Sequence, residues 1–272
     1  MTKLKLGINK VNNEEYHGDK NYLSSSSLKL LLKDLPKFHK EHILKVKGER
    51  EIRSAFDEGS YTHALILEPH MIEHEFAIFP GFTKRGKEWE AFKESEEVKG
   101  KTILSESQKF RCEDYHYAYK NNKTAIELIS NGLSEHTICD EYRGVNLKSR
   151  CDFINIEEGY IVDVKTTSFP SDIDSFRQTI KMYEYDLSAY LYAFIAERYY
   201  KKHFDFYFVV IDKKNLVCDI YRASEDMMNR GKVKVEKSLD IYKNCLETGI
   251  WKPEILKAKR LTKNTGYEIM DI

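Results

Sequence analysis

The spacing of apolar residues changes about halfway along the chain. Up to about residue 132 it is helical. Ser27 is placed to cap a short helix through Leu28, Leu31, Leu32 and Leu35, broken at Pro36, with a second helix after it. An apolar-periodic stretch over Ala55–Leu67 stops at Glu68-Pro69, and Ser105-Glu-Ser-Gln108 is a capping-box pattern opening a helix to about Lys120. A further helix is expected to end at Asn131-Gly132. Residues 135–166 then alternate between apolar and polar, punctuated by Arg143-Gly144 and Glu157-Glu158-Gly159, which predicts an antiparallel meander. A long helix follows near 184–200, with Leu187, Tyr190, Leu191, Phe194 and Ile195 on one face. Two strands, 206–212 and 216–221, flank Lys213-Lys214-Asn215, and Ser224 opens a last helix with Met228, Val235, Leu239, Tyr242 and Leu246 in register. This order predicts an α/β (α+β) fold, a mixed central sheet flanked by helices. No internal repeat marks a boundary. The expectation is one domain, 1–272, with a helical part over 20–132, a core over 133–253 and a tail over 254–272.

Composition narrows the class. The chain has 272 residues, 41% hydrophobic and 32% charged, enough for a sizeable core. No stretch approaches the roughly 18 apolar residues of a membrane span, and Met1-Thr-Lys-Leu-Lys5 lacks the apolar segment of a secretory signal. The five cysteines are scattered, with no C-x-x-C pair, which argues against a disulfide framework, a zinc site or an iron–sulfur cluster. A reducing, cytoplasmic setting and no membrane partner are expected. The 44 basic and 44 acidic residues cancel. Local basic excesses occur over residues 28–53 and 252–264, although runs of this kind are ordinarily solvated surface. Gly81–Lys87 lacks the spacing of a phosphate-binding P-loop, so an ATP-driven motor is not expected.

The chemistry concentrates in Lys148-Ser-Arg150-Cys-Asp152 and Asp163-Val-Lys165. A hairpin centred between Glu157 and Glu158 sets Asp152 opposite Asp163, with Cβ atoms about 5 Å apart. Lys165 emerges on the same face as Asp163, because side chains alternate along a strand. Facing carboxylates repel, and a fold that keeps such a pair usually neutralises it with a cation. Hard oxygen ligands select Mg²⁺ or Mn²⁺, which also engage phosphates. A nearby ammonium orients or deprotonates an attacking water and offsets transition-state charge. The competing explanation is a polar hairpin face carrying an Asp–Lys surface ladder.

The motif and its surroundings resemble the PD-(D/E)XK nuclease superfamily, in particular the RecE-like (exodeoxyribonuclease VIII) phage and prophage exonucleases. The resemblance runs from about residue 22 to residue 253. It rests on Leu23-Ser-Ser-Ser-Ser-Leu28 with Leu35-Pro36, on Gly59-Ser-Tyr-Thr-His63-Ala-Leu-Ile-Leu-Glu68-Pro69, and on Phe79-Pro80 leading to Lys84-Arg-Gly86-Lys87-Glu-Trp89. Glu135, Gly144, Lys148-x-Arg150-x-Asp152 and Asp163-Val-Lys165-Thr-Thr complete it. It implies Mg²⁺, with Mn²⁺ as a substitute, held by His63, Asp152, Asp163 and the main-chain carbonyl of Val164. It also implies Lys165 as the catalytic lysine, Glu135 as an additional acid, and Lys148 and Arg150 facing the scissile phosphate. Alone, His63 reads as a core or capping histidine. Lys84, Arg85, Lys87 and Trp89 form a stretch suited to grip a DNA backbone or stack on a base, or equally a basic loop beside a buried Trp. Where relatives carry a glutamine before a tyrosine, this chain has Ser188, too short for that role; Tyr185 or Tyr190 is placed to substitute, or simply to pack the helix.

The implied activity is degradation of duplex DNA from an end, 5′ to 3′, for phage-type recombination, by a homo-oligomer that passes product to a single-strand annealing protein. Two alternatives stay open: a structure-specific or single-strand endonuclease on the same core, and a DNA-binding recombination module that has lost catalysis.

Overall fold

Residues 4–46, 54–252, 258–261 and 267–270 are described by the computed structural model. The first part comprises β1 (Gly7–Asn9), α1 (Asn13–Gly18), α2 (Ser25–Lys33), α3 (Leu35–Phe38) and a π turn at His39–Ile43. Next come α4 (Ser54–Leu67), α5 (Ile72–Glu75), β2 (Phe76–Phe79), α6 (Gly86–Glu94), β3 (Thr102–Ser105), α7 (Glu106–Lys120) and α8 (Lys123–Leu128). The meander is β4 (Leu133–Tyr142), β5 (Val145–Asn155) and β6 (Tyr160–Thr167). It is followed by α9 (Ile173–Tyr183), α10 (Tyr185–Tyr200), β7 (Asp205–Asp212), β8 (Val217–Arg222) and α11 (Glu225–Thr248). A ribbon of β9 (Ala258–Leu261) and β10 (Tyr267–Met270) ends the described chain.

Six strands form one mixed sheet in the order β1-β4-β5-β6-β7-β8. All neighbours are antiparallel except β6 and β7, which are parallel because α9 and α10 return the chain to the starting edge. Helices cover both faces. On one side Leu28, Leu187, Leu191, Ile195, Val235 and Leu239 pack on Leu147, Ile154, Ile161 and Phe208. On the other, Ile66, Tyr115, Tyr119 and Ala125 pack on Phe153, Val162, Val164 and Val209. Mixed sheet, flanking helices and the meander follow the pattern of the sequence.

The local signals act as physical chemistry requires. Arg143 and Gly144 both take positive φ, 54° and 76°, so a two-residue turn joins β4 to β5 with the twist the hairpin needs. Ser105 caps α7 with Gln108 reciprocating, and Ser224 caps α11. The cap of α2 is Ser24, not Ser27. The Ser24 side chain accepts from Ser27 N–H while Ser27 serves as the third helical residue of the box. Gly231 lets α11 lie against α10, since a Cβ there would stand 2.1 Å from the carbonyl oxygen of Asp186. The expected elements did not include α9, nor β1 and the parallel β2–β3 pair, whose strands of three or four residues are too short to show a period. The expected tail over 254–272 and the basic run over 252–264 lie mostly outside the described residues, as does 47–53.

Candidate active site

The site forms where the sheet splits. Strands β5 and β6 pair through Asn155↔Tyr160, Ile154↔Ile161 and Phe153↔Val162, the register expected from a turn centred between Glu157 and Glu158. The ladder stops one step before Asp152 and Asp163. From there β5 continues with β4, and β6 continues with β7 as far as Thr167. The Asp152 carboxylate bridges the opening, Oδ2 accepting from Val164 N–H at 2.8 Å. The free edge of β5 is taken up by Leu23, whose N–H donates to Asn146 O and whose carbonyl accepts from Lys148 N–H, each 2.9 Å. That contact brings the start of α2 to the split, where Ser25 Oγ lies 3.2 Å from Tyr192 Oη on α10.

Asp152 has a gap on its other side too. The β4–β5 ladder pairs Ser134 with Phe153 and His136 with Cys151 but skips Glu135 and Asp152. Glu135 holds φ at 48°, a left-handed conformation unusual for glutamate and of the kind that clusters at functional sites. Side-chain alternation slips at the same place. Cys151 packs with the α10-side core and Phe153 with the α4-side core, although they are two residues apart. The register resumes without an inserted residue.

Helix α4 supplies His63. It is held by buried Glu58, which pairs with Arg111 on α7 at 2.6 Å, and by Thr62, whose hydroxyl donates to Glu58 O. His63 Nδ1 lies 3.6 Å from Asp152 Oδ2. One ligand atom from each of His63, Glu135 and Asp152 falls within 4.8 Å of the others, a grouping that suits a divalent cation. Asp163 stands beside this group rather than in it. It is buried, and its Oδ2 forms an ion pair with Lys165 Nζ at 2.5 Å. The Lys165 ammonium sits over the Tyr185 ring, 5.2 Å from its centroid.

The electrostatics tie the two parts together. Burial pushes the Asp163 carboxyl up; Lys165 opposes that and Asp152 adds to it. Burial, with Asp152, Glu68 and Glu75 close by, pushes Glu135 up to about 8 despite its 2.6 Å ion pair with Arg150. For Lys165, burial favours the neutral amine, but Asp163 and Asp152 outweigh it and hold the group above the ordinary lysine range. Carboxylates that raise each other's proton affinity are the donor set that a hard divalent cation relieves, so the residues present fit Mg²⁺ or Mn²⁺.

Other sequence-selected residues separate by role. Lys148 is buried, its amine donating to the carbonyls of Tyr16 and Asp19, so burial and satisfied donors turn it away from any phosphate. Arg150 lies over the Tyr16 ring, and a groove of about 640 Å³ opens beside it and Glu135. Lys84 is tied down by Ile103 O and Asp57, and Trp89 packs edge-on against Phe79; Arg85 and Lys87 remain exposed. Val164 O accepts a long 3.4 Å contact from Lys165 Nζ. Tyr185 meets the lysine, whereas Tyr190 stacks on Phe194, and Ser188 is buried. Lys29, Ser25 and Tyr192 were missed, for no spacing rule links them to positions 152–165.

A split mixed sheet with an acid on each side of the split and a lysine two residues beyond defines a PD-(D/E)XK-type core. Over residues 24–255 the sequence matches the family described as "PDDEXK-like domain of unknown function (DUF3799)", and the chain belongs to that family. A protein from Eubacterium rectale, described as a "putative exonuclease", shares the fold with a TM-score of 0.61 at 16% identity, over 86% of this chain and 87% of its own. A phage-related exonuclease from Haemophilus somnus 129PT aligns with a TM-score of 0.36 at 12% identity, over 84% and 96%. No curated protein matches the sequence.

Proposed function

We propose that this protein is a divalent-metal-dependent deoxyribonuclease that hydrolyses phosphodiester bonds, acting 5′ to 3′ from duplex ends in phage-type recombination. The observation that carries the reading is the convergence of His63, Glu135 and Asp152 beside the Asp163–Lys165 pair at the split in the sheet. Family membership and the fold shared with a protein described as an exonuclease support the same class.

His63, Asp152, Asp163 and Glu135 would hold Mg²⁺ or Mn²⁺, with the Val164 carbonyl as a further donor. When bound, the ion supplies Lewis acidity and a more acidic water. Held protonated, Lys165 acts as donor and countercharge to the phosphorane-like transition state. Asp163 orients that ammonium, and Tyr185 confines it against an aromatic face. Arg150, steered by Glu135, and exposed Arg85 and Lys87 would neutralise flanking phosphates. Assembly as a homo-oligomer and transfer of product to an annealing protein belong to the same reading.

Incubating end-labelled linear duplex with Mg²⁺ tests it. Wild type should release product, and Asp163→Ala and Lys165→Ala should do so on the order of 100-fold more slowly; equal activity in all three sinks the assignment. Cutting of covalently closed circles would replace the exonuclease with an endonuclease on the same core.

A further inference from the structure

The cleft holds a second amine that the hydrolytic chemistry leaves unused. Lys29, on the second turn of α2, comes to the site because Leu23 docks on the free edge of β5 and Ser25 reaches Tyr192. Its Nζ lies 5.5 Å from the centroid of the Tyr185 ring, and Lys165 Nζ lies 5.2 Å from the same centroid. Two ammonium groups from elements far apart in sequence thus share one aromatic face-partner at the split in the sheet.

An amine placed there needs an anion. Among the described residues no carboxylate forms an ion pair with Lys29. The acids that face it are occupied: Asp163 by Lys165 at 2.5 Å, and Asp186 and Glu184 by Lys234 at 2.8 and 3.9 Å. Burial and the neighbouring Lys165 charge lower the Lys29 pKa to about 8, so its charged form is under-compensated in the protein alone. Repulsion between two such amines is relieved when each faces its own phosphate along a nucleic-acid strand.

We propose that Lys29 is a substrate-positioning residue that binds the phosphate next to the scissile one, so that the cleft reads at least two consecutive phosphates of one DNA strand. This rests on the nuclease reading above. It makes a strand, rather than an isolated diester, the favoured substrate.

Binding without turnover provides the test. A fluorescently labelled single-stranded oligonucleotide is titrated in Ca²⁺ at several salt concentrations, and KM for cleavage is measured separately in Mg²⁺. Lys29→Gln should flatten the plot of log affinity against log salt by roughly 0.7, the share of one single-strand phosphate contact. It should also raise KM more than it lowers kcat, and Lys29→Arg should restore the slope. Lys33→Gln, an exposed lysine one turn further along α2, is the control with the same charge change and should behave as wild type. A Lys29→Gln slope equal to that of wild type and Lys33→Gln overturns the proposal, even if its melting temperature falls, because a purely structural lysine would alter stability alone. Failure of the wild type to bind either this oligonucleotide or a blunt-ended duplex of the same sequence overturns it as well. Binding with the expected slope change but without cleavage overturns only the nuclease reading.

Discussion

The Asp152 carboxylate accepts the Val164 amide N–H at 2.8 Å, across the point where β5 and β6 stop pairing. One acid therefore has two duties: it closes a gap in the sheet, and it faces His63. The two duties separate by substitution. Asp152→Asn keeps a carbonyl acceptor for Val164 and should melt near the wild type, while losing activity on the order of 100-fold or more. Asp152→Ala should lose the activity and also about 1–3 kcal/mol of stability, the cost of an unmet backbone donor. Denaturant unfolding of both variants checks this; equal destabilisation would refute the structural duty.

Half-buried Lys165 pairs with buried Asp163, but only the acid is assigned to metal. Lys165→Ala should therefore still bind Mn²⁺ by calorimetry while its cleavage rate falls on the order of 100-fold. Asp163→Ala should weaken both. Loss of Mn²⁺ binding in Lys165→Ala would mean that the amine shapes the ligand set rather than the reaction.

The two raised acids should each add a pH-dependent contribution to stability. Glu135 and Asp163 have folded-state pKa values raised above those of the unfolded chain, so their contribution is fully present below the ordinary carboxylate range. It is lost as pH rises towards about 8, the value for Glu135. Lys165, raised from an already high value, stays charged throughout this window. Buried His42 and His136 and half-buried His116, whose pKa values are lowered, act in the opposite sense, so the Glu135 contribution is read against Glu135→Gln. Without metal, the wild type should lose stability relative to that variant between pH 5 and pH 8. Added Mg²⁺ or Mn²⁺ should recover more stability at pH 8, where protons no longer compete. A wild-type-to-variant difference that stays constant between pH 5 and pH 8 would contradict the arrangement of charges.

Lys148 and Arg85 should part company. Lys148→Met leaves the Tyr16 and Asp19 carbonyls without their donor and should cost about 1–3 kcal/mol, with the salt dependence of DNA binding unchanged. Arg85→Ala, at an exposed position, should leave stability within about 0.5 kcal/mol and weaken DNA binding. Melting curves and anisotropy titrations at two salt concentrations distinguish them.

Period and turn chemistry made much of the framework legible. Alternation over 135–166, the Arg143-Gly144 turn and the caps at Ser105 and Ser224 are local properties, and local properties are written in adjacent residues. The hairpin register could be read for the same reason, since a turn of known length fixes which residues face each other. What the spacing could not reveal is where the ladder would end. Glu135 turns left-handed, the side-chain alternation slips at Asp152, and Asp163 joins Lys165 while Glu135 joins His63 and Asp152. Those outcomes depend on α4, α2 and α10 packing around the split, and packing decides which of several nearby charges meet. Lys148 shows the same division. Its place in the motif suggested a phosphate, and only the buried carbonyls of a distant segment assigned its amine elsewhere. Sequence determined the meander, the strand pair that follows it and the residue types offered to the cleft. Tertiary structure decided the partners, because partnership is set by distance in space and by desolvation, neither of which is encoded in spacing along the chain.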